Sequence, residues 1–99
     1  MILEKHIVYV LFSVRLNRFY IGVTVDFENR LQQHNSGFYD SSYTKKATDW
    51  KKYLLIECDD KRQSLKIEAH IKKMKSVTYI KNLKRFPEII IKLKEKHQQ

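Results

Sequence analysis

The chain has 99 residues, which is enough for one domain and too few for two. With 42% hydrophobic residues, two glycines and one proline, its composition is typical of a folded globule and argues against low-complexity linkers. The longest uncharged apolar run, residues 7–12, is far shorter than the roughly 20 residues that cross a bilayer, so we expect no membrane segment. No signal-peptide pattern opens the chain, and the single cysteine, Cys58, cannot form an internal disulfide. We therefore predict a cytoplasmic protein.

The formal net charge of +9 is concentrated in the C-terminal part of the chain. Residues 1–60 contain eight Lys or Arg and eight Asp or Glu, whereas residues 61–99 contain twelve and three. This asymmetry favours a polyanionic partner, with nucleic acid ahead of an anionic membrane surface; the alternative is a solvated, lysine-rich helical surface. The candidate phosphate contacts, individually replaceable and together sensitive to salt, are Lys45, Lys46, Lys72, Lys73 and Lys75.

The first part of the chain predicts a β-hairpin. Residues 7–14 are β-branched or aromatic and nearly all apolar, which is typical of a central strand, and this strand carries Tyr9. A turn over residues 15–18 leads to a second strand over residues 19–24, which carries Tyr20 and Gly22. A glycine inside a strand indicates either a bulge or a close approach of another group to the backbone.

A helix is predicted over residues 27–35. Arg30 and His34 lie four residues apart on the flank of its apolar stripe, so we expect them to project together, near the sheet but outside its core. The N-cap, the apolar stripe and the stop signal are Asp26, then Phe27 and Leu31, then Ser36 and Gly37.

The remaining pattern completes the order β-β-α-β-α-α-α. A long loop over residues 38–50 precedes a third strand over residues 51–58. Helices are expected over residues 61–75, 77–85 and 87–96, beginning at Asp60, Ser76 and Pro87. We predict an α/β (α+β) sandwich in which helices flank a three-stranded, mainly antiparallel sheet. The single domain spans residues 1–99, with its core at about residues 7–84 and a basic C-terminal helix.

Six sequence elements follow one another in a specific order and spacing. Tyr20-Ile21-Gly22 is one intact tripeptide, and Ile7-Val8-Tyr9 stands where a Gly-Ile-Tyr would complete the pair. The other elements are Arg30, the run His34-Asn35-Ser36-Gly37, Tyr43-Thr44 followed by Trp50, and Glu68 on the helix after the third strand. From about residue 7 to residue 84 the chain resembles the GIY-YIG endonuclease superfamily, in its small single-domain, excision-repair-nuclease-like members. Tyr9 keeps the phenol of the first motif, whereas Ile7 replaces its glycine.

The resemblance implies hydrolysis of one DNA strand at a time with a single divalent ion, Mg²⁺ or Mn²⁺. Glu68 would be the metal ligand, together with water and phosphate oxygens, and Arg30 would bind the phosphate through its planar fork of donors. A free phenol titrates near ~10, so the base needs help from its neighbours, and its identity stays open between Tyr9, Tyr20 and His34. The supporting positions are Gly22, Asn35 and Asn82.

The same residues also have ordinary structural explanations. Tyr9 and Tyr20 could be strand aromatics with solvated hydroxyls, and His34 could be a histidine near a helix end. Glu68 and Lys72 are one turn apart and could form an ion pair.

The leading hypothesis is a metal-dependent DNA endonuclease, structure-guided or non-specific, that acts in DNA repair or recombination. RNA remains an alternative substrate. A second hypothesis is a nucleic-acid-binding module of the same fold with little or no nuclease activity. A third is a subunit that needs a protein partner to supply DNA recognition. A homodimer is a further alternative for the assembly.

Overall fold

A computed structural model describes residues 5–36 and 47–98. Its elements are β1 (His6–Ser13), β2 (Arg18–Thr24), α1 (Phe27–Ser36), β3 (Lys51–Cys58), α2 (Lys61–Met74), α3 (Val77–Arg85) and α4 (Pro87–Lys96). In the described residues the strands form one antiparallel sheet in the order β2-β1-β3, with β1 at its centre. The predicted fold class and element order are confirmed.

The hairpin differs from the prediction by one residue at its boundaries. β1 begins and ends one residue earlier than expected, because Val14 already lies in the turn, where its side chain is exposed. The N–H of Asn17 donates to the carbonyl of Val14 at 3.2 Å, and Asn17 has a left-handed φ of 52°. β2 then begins at Arg18, which pairs with Ser13 across the hairpin.

The helix starts follow from capping by short polar side chains. Each of three cap side chains accepts a hydrogen bond from the backbone N–H three residues later, which satisfies a donor that has no partner within the helix. The backbone N–H groups of Asn29, Gln63 and Tyr79 donate to the side-chain oxygens of Asp26, Asp60 and Ser76, at 3.2, 2.7 and 3.0 Å respectively. α1 continues through Ser36, one residue beyond its predicted end. α2 ends one residue before its predicted end, because Lys75 takes a left-handed φ of 48°.

The two faces of the sheet carry two separate cores, because successive side chains of a strand point to opposite faces. Val8 and Val10 of β1 face α2, α3 and α4, whereas Tyr9 and Leu11 face the other way. The α2-side core contains Val8, Val10, Ile56, Cys58, Ile67, Ile71, Ile80, Leu83 and Leu93. The α1-side core contains Tyr9, Leu11, Phe27, Ala47 and Trp50, with Tyr20 and Leu31 packed against it.

Several sequence predictions lie outside the described residues. They are the stop at Gly37, the match at Tyr43 and Thr44, most of the predicted loop, and the candidate phosphate contacts Lys45 and Lys46. No helix in the described ranges has the length and apolar character needed to cross a membrane.

Candidate active site

Tyr9 and His34 form a buried hydrogen-bonded pair on the α1 side of the sheet. Tyr9 lies in the middle of the central strand and His34 in the last turn of α1, and each is 1% exposed. The Tyr9 hydroxyl and His34 Nε2 are 2.9 Å apart. In the tautomer with its proton on Nδ1, Nε2 accepts a hydrogen bond from the phenol. The pair therefore fixes the direction in which the phenol presents its oxygen.

Gly22 makes room for the Tyr9 ring. The two residues are direct partners in the register of β1 and β2. A Cβ at Gly22 would lie 2.5 Å from Cζ of Tyr9 and 2.9 Å from Cε1, which is closer than a side-chain carbon approaches in a real structure. Of the two predicted explanations for this glycine, close approach is confirmed. The β1–β2 register is continuous at Gly22, so the bulge explanation is wrong.

Tyr20 brings a second phenol to the same face of the sheet. It lies two residues before Gly22 on β2, and alternate strand residues share a face. Its ring centroid is 4.9 Å from that of His34 and 6.3 Å from that of Tyr9. Tyr20 is partly exposed, whereas Tyr9 is buried, so the two phenols differ in their access to solvent.

Arg30 and His34 are coupled electrostatically, one helical turn apart on α1. Burial, followed by the positive charge of Arg30, lowers the pKa of His34 from its usual 6.5 to about 4. His34 is consequently a neutral imidazole at pH 7. The expectation that both side chains project outside the core is wrong for His34, because the phenol of Tyr9 reaches it from the sheet and supplies the polar partner that burial requires. Arg30 is half-buried.

Asn35 joins the end of α1 to the residue that precedes β3. Its Nδ2 donates to the carbonyl of Trp50 at 2.9 Å, and its Oδ1 accepts from the N–H of Trp50 at 2.7 Å. Trp50 is buried in the α1-side core, with its ring 6.4 Å from that of Tyr20. The Asn35 side chain therefore fixes the end of the helix that carries His34 against the start of β3.

Glu68 lies on α2, which packs on the opposite face of the sheet from α1. Its side chain is 19% exposed, and its Oε2 accepts from Lys72 Nζ at 3.2 Å, one turn further along the helix. Among the described residues, no hydrogen bond or ion pair joins Glu68 to Tyr9, Tyr20 or His34.

The described residues fit a metal that is held by one carboxylate. No group of three or more His, Cys, Asp and Glu side chains suited to a metal occurs in residues 5–36 and 47–98. Mg²⁺ commonly keeps several waters and takes one or two carboxylates together with phosphate oxygens of the substrate. Glu68, whose side chain is 19% exposed and whose ion pair uses only Oε2, is the residue that could supply this type of ligand.

The remaining predicted contacts lie at the C-terminal end of α2 and on α3. Lys72 and Lys75 line a groove beside β2, and Lys73 is exposed on the last turn of α2. Asn82 lies on α3, where its carbonyl accepts from the N–H of Phe86 at 2.7 Å. Arg18, which the sequence predictions did not single out, lines the same groove as Tyr20. The sequence could have indicated Arg18, because it is a cation two residues before Tyr20 on the same strand, and alternate strand residues share a face.

Comparison with known proteins agrees with this arrangement. The sequence model of the family described as "GIY-YIG catalytic domain" matches residues 5–84. A "UPF0213 protein" of Syntrophus aciditrophicus (strain SB) is 40% identical over 86 residues, which make up 87% of this chain and 98% of that protein. No solved structure matches the chain. Because the family match spans most of the chain and contains Tyr9, Tyr20, Arg30, His34 and Glu68, this protein belongs to the GIY-YIG family.

Proposed function

We propose that the protein is a metal-dependent endonuclease that hydrolyses phosphodiester bonds of DNA. Membership of a family whose members are generally nucleases supports a nuclease fold and an interaction with nucleic acid. The observation that carries the proposal further is the buried hydrogen bond between Tyr9 and His34. A phenol held against a neutral imidazole, with an arginine one turn away, is an unusual group to bury for packing alone.

Tyr9 takes the proton of the attacking water in this proposal, and His34 receives the phenol proton. In the resting protein the transfer is unfavourable, because a free phenol titrates near ~10 and the pKa of His34 is about 4. A phosphate bound by Arg30 would offset the guanidinium charge that helps to depress the pKa of His34. The imidazole then becomes a better acceptor when substrate is present. Until that point, His34 orients the phenol.

Arg30 and Tyr20 position the phosphate in the same scheme. Arg30 presents donors in a planar fork that matches two phosphate oxygens, and Tyr20 offers a partly exposed phenol beside His34. Glu68 would hold a Mg²⁺ or Mn²⁺ ion through its carboxylate. When bound, this ion neutralises charge on the phosphate and on the leaving oxygen. The water oxygen forms a bond to phosphorus, and the bond from phosphorus to the leaving oxygen breaks. The leaving oxygen takes a proton from solvent water, and the protonated His34 returns its proton to solvent.

Nicking of supercoiled plasmid in the presence of Mg²⁺ tests this function. We expect the wild-type protein to nick and Tyr9→Phe to lose at least about 100-fold in rate, the effect of removing a group that transfers a proton in the transition state. Tyr53→Phe is the matched control, because Tyr53 is also a strand phenol but packs in the α2-side core. Thermal unfolding of both variants checks that they fold. Wild-type activity in Tyr9→Phe would refute the role of Tyr9.

Binding without cleavage is a second candidate, favoured by the ion pair of Glu68. A carboxylate already neutralised by Lys72 at 3.2 Å is a weaker cation ligand than a free one. Under this alternative the protein binds DNA with strong salt dependence and nicks no substrate with Mg²⁺ or Mn²⁺. The same nicking assay, together with a filter-binding titration, separates the two functions.

A further inference from the structure

An open groove runs along the outer side of the hairpin. β2 is an edge strand, and no strand in the described residues pairs with its outer side. The C-terminal turn of α2 and the first turn of α3 form the opposite wall, and the groove encloses about 690 Å³. The lining residues that matter for a ligand are Arg18, Tyr20, Lys72, Lys75 and Val77.

The groove combines cations with apolar side chains. Arg18, Lys72 and Lys75 are its cationic residues, and no acidic residue lines it, although Lys72 is also ion-paired with Glu68 outside the lining. The rest of its lining is largely aliphatic and aromatic, and Val77 at the start of α3 is 55% exposed. An exposed valine in a cationic groove indicates a ligand that is anionic on one side and apolar on the other.

A nucleotide whose base is not paired has this chemistry. Its phosphate suits the cations, and its base face can contact aliphatic and aromatic side chains. In a duplex the base faces are buried in the stack, so the apolar part of the groove would gain no contact from double-stranded DNA. The phosphates of a duplex could contact only the cationic side chains of the groove.

The groove adjoins the candidate active site through Tyr20. This residue lines the groove, and its ring lies 4.9 Å from that of His34. Lys72 lines the opposite wall and is the ion-pair partner of Glu68. We propose that the groove binds unpaired nucleotides next to the cleaved phosphodiester, so that the substrate is DNA with a single-stranded segment beside the cleavage position. The location of the cleaved bond rests on the proposed endonuclease function.

Fluorescence anisotropy without divalent metal tests the groove independently of cleavage. The probes are a blunt duplex and the same duplex with a short single-stranded extension at either end. We expect the wild-type protein to bind an extended duplex about tenfold more tightly than the blunt one, because the stacking of one base on the protein changes affinity by about this factor. Val77→Glu should reduce this ratio to near one. A glutamate suits the first turn of α3, so the variant should fold.

Ile91→Glu is the matched control. Ile91 is 57% exposed on α4 and does not line the groove, so the substitution changes the net charge equally while leaving the groove intact. We expect this variant to weaken binding to both DNAs alike and to keep their ratio. Equal affinity of the wild-type protein for the two DNAs, or equal ratios in the two variants, would overturn the proposal. The latter result would fit a groove that takes a peptide strand.

The nicking assay keeps the two proposals distinguishable. If Tyr9→Phe abolishes nicking and Val77→Glu leaves the binding ratio unchanged, the groove proposal fails and the endonuclease proposal stands. If the ratio depends on Val77 and the wild-type protein nicks no DNA, the endonuclease proposal fails and the groove is supported as a binding site for unpaired nucleotides.

Discussion

Tyr9 and Gly22 face each other directly across β1 and β2, and the ring of Tyr9 occupies the space in which a Cβ of residue 22 would lie. The glycine thereby allows a large ring to lie flat against the neighbouring strand and to reach His34 on α1. A glycine within a strand lowers strand stability, so its presence here serves the position of the phenol.

Gly22→Ala is expected to displace the Tyr9 ring and to lower the free energy of unfolding by about 2 kcal/mol, the usual effect of overpacking. The Tyr9–His34 hydrogen bond should be lost with it. In a Tyr9→Leu background, whose shorter side chain leaves the space open, the added methyl should have little effect. Urea unfolding of the four proteins of this double-mutant cycle measures the coupling. Additive free-energy changes would show that the methyl acts through some other neighbour.

The lowered pKa of His34 predicts an acid-sensitive fold. Between pH 6.5 and about 4 the unfolded chain binds a proton at His34 that the folded protein does not, so stability falls as the pH is lowered. The loss should amount to about 2 kcal/mol at pH 5 relative to pH 7.5. Glutamine does not titrate in this range. Between pH 7.5 and pH 5 the free energy of unfolding of His34→Gln should therefore fall by about 2 kcal/mol less than that of the wild-type protein. Urea midpoints at several pH values measure the difference, and parallel pH curves for the two proteins would contradict the low pKa.

Glu68→Gln should abolish metal-dependent nicking while leaving the fold stable. The substitution keeps the shape of the side chain and removes the charge that binds a cation, so we expect a rate loss of at least about 100-fold. The ion pair with Lys72 is partly exposed, and its loss should change stability by no more than about 0.5 kcal/mol. Glu57→Gln, which removes an ion-paired glutamate on β3, is the control and should nick normally. Equal activity of the two variants would exclude Glu68 as the metal ligand.

Replacing Lys72 and Lys75 by alanine should make DNA binding less sensitive to salt. The slope of log K against log salt concentration is negative, and each lost phosphate contact reduces its magnitude by about 0.7–0.9. The magnitude for the double variant should therefore be smaller than the wild-type magnitude by about 1.5. The control replaces Lys92 and Lys96, which lie exposed on α4, by alanine. These two substitutions remove the same total charge. Titrations at several salt concentrations measure both slopes. Identical slopes in the two double variants would show that binding follows net charge and not the groove.

Local signals predicted the secondary structure because they act within a few residues. The caps at Asp26, Asp60 and Ser76 each bond to the backbone three residues later, so the sequence alone contains both partners. The nearly continuous apolar run of β1 likewise predicted a central strand, and the structure buries Val8 and Val10 on one face of it and Tyr9 and Leu11 on the other. The errors lie at element ends, where one residue joins a turn or a cap instead of a strand or helix.

The arrangement of the site depends on contacts between residues far apart in the chain. Helical spacing predicted that His34 lies beside Arg30 and outside the core. In the structure His34 is buried and hydrogen-bonded to Tyr9, which lies 25 positions earlier in the chain on β1. The position of Glu68 relative to the phenols likewise depends on tertiary packing, because α2 packs on the face of the sheet opposite α1. Neither the pKa of His34 nor the groove could be predicted, because both depend on which elements pack together.

The amino-acid sequence by itself determined the element order, the caps, the motif residues and the family, because each rests on short-range pattern or on matching residues. Only the tertiary structure decided that Tyr9 lies over Gly22, that His34 is buried and neutral, and that β2 is an edge strand beside a cationic groove. The physical reason is that strand register and helix packing determine burial, and burial determines both the protonation of His34 and the surface available to a ligand.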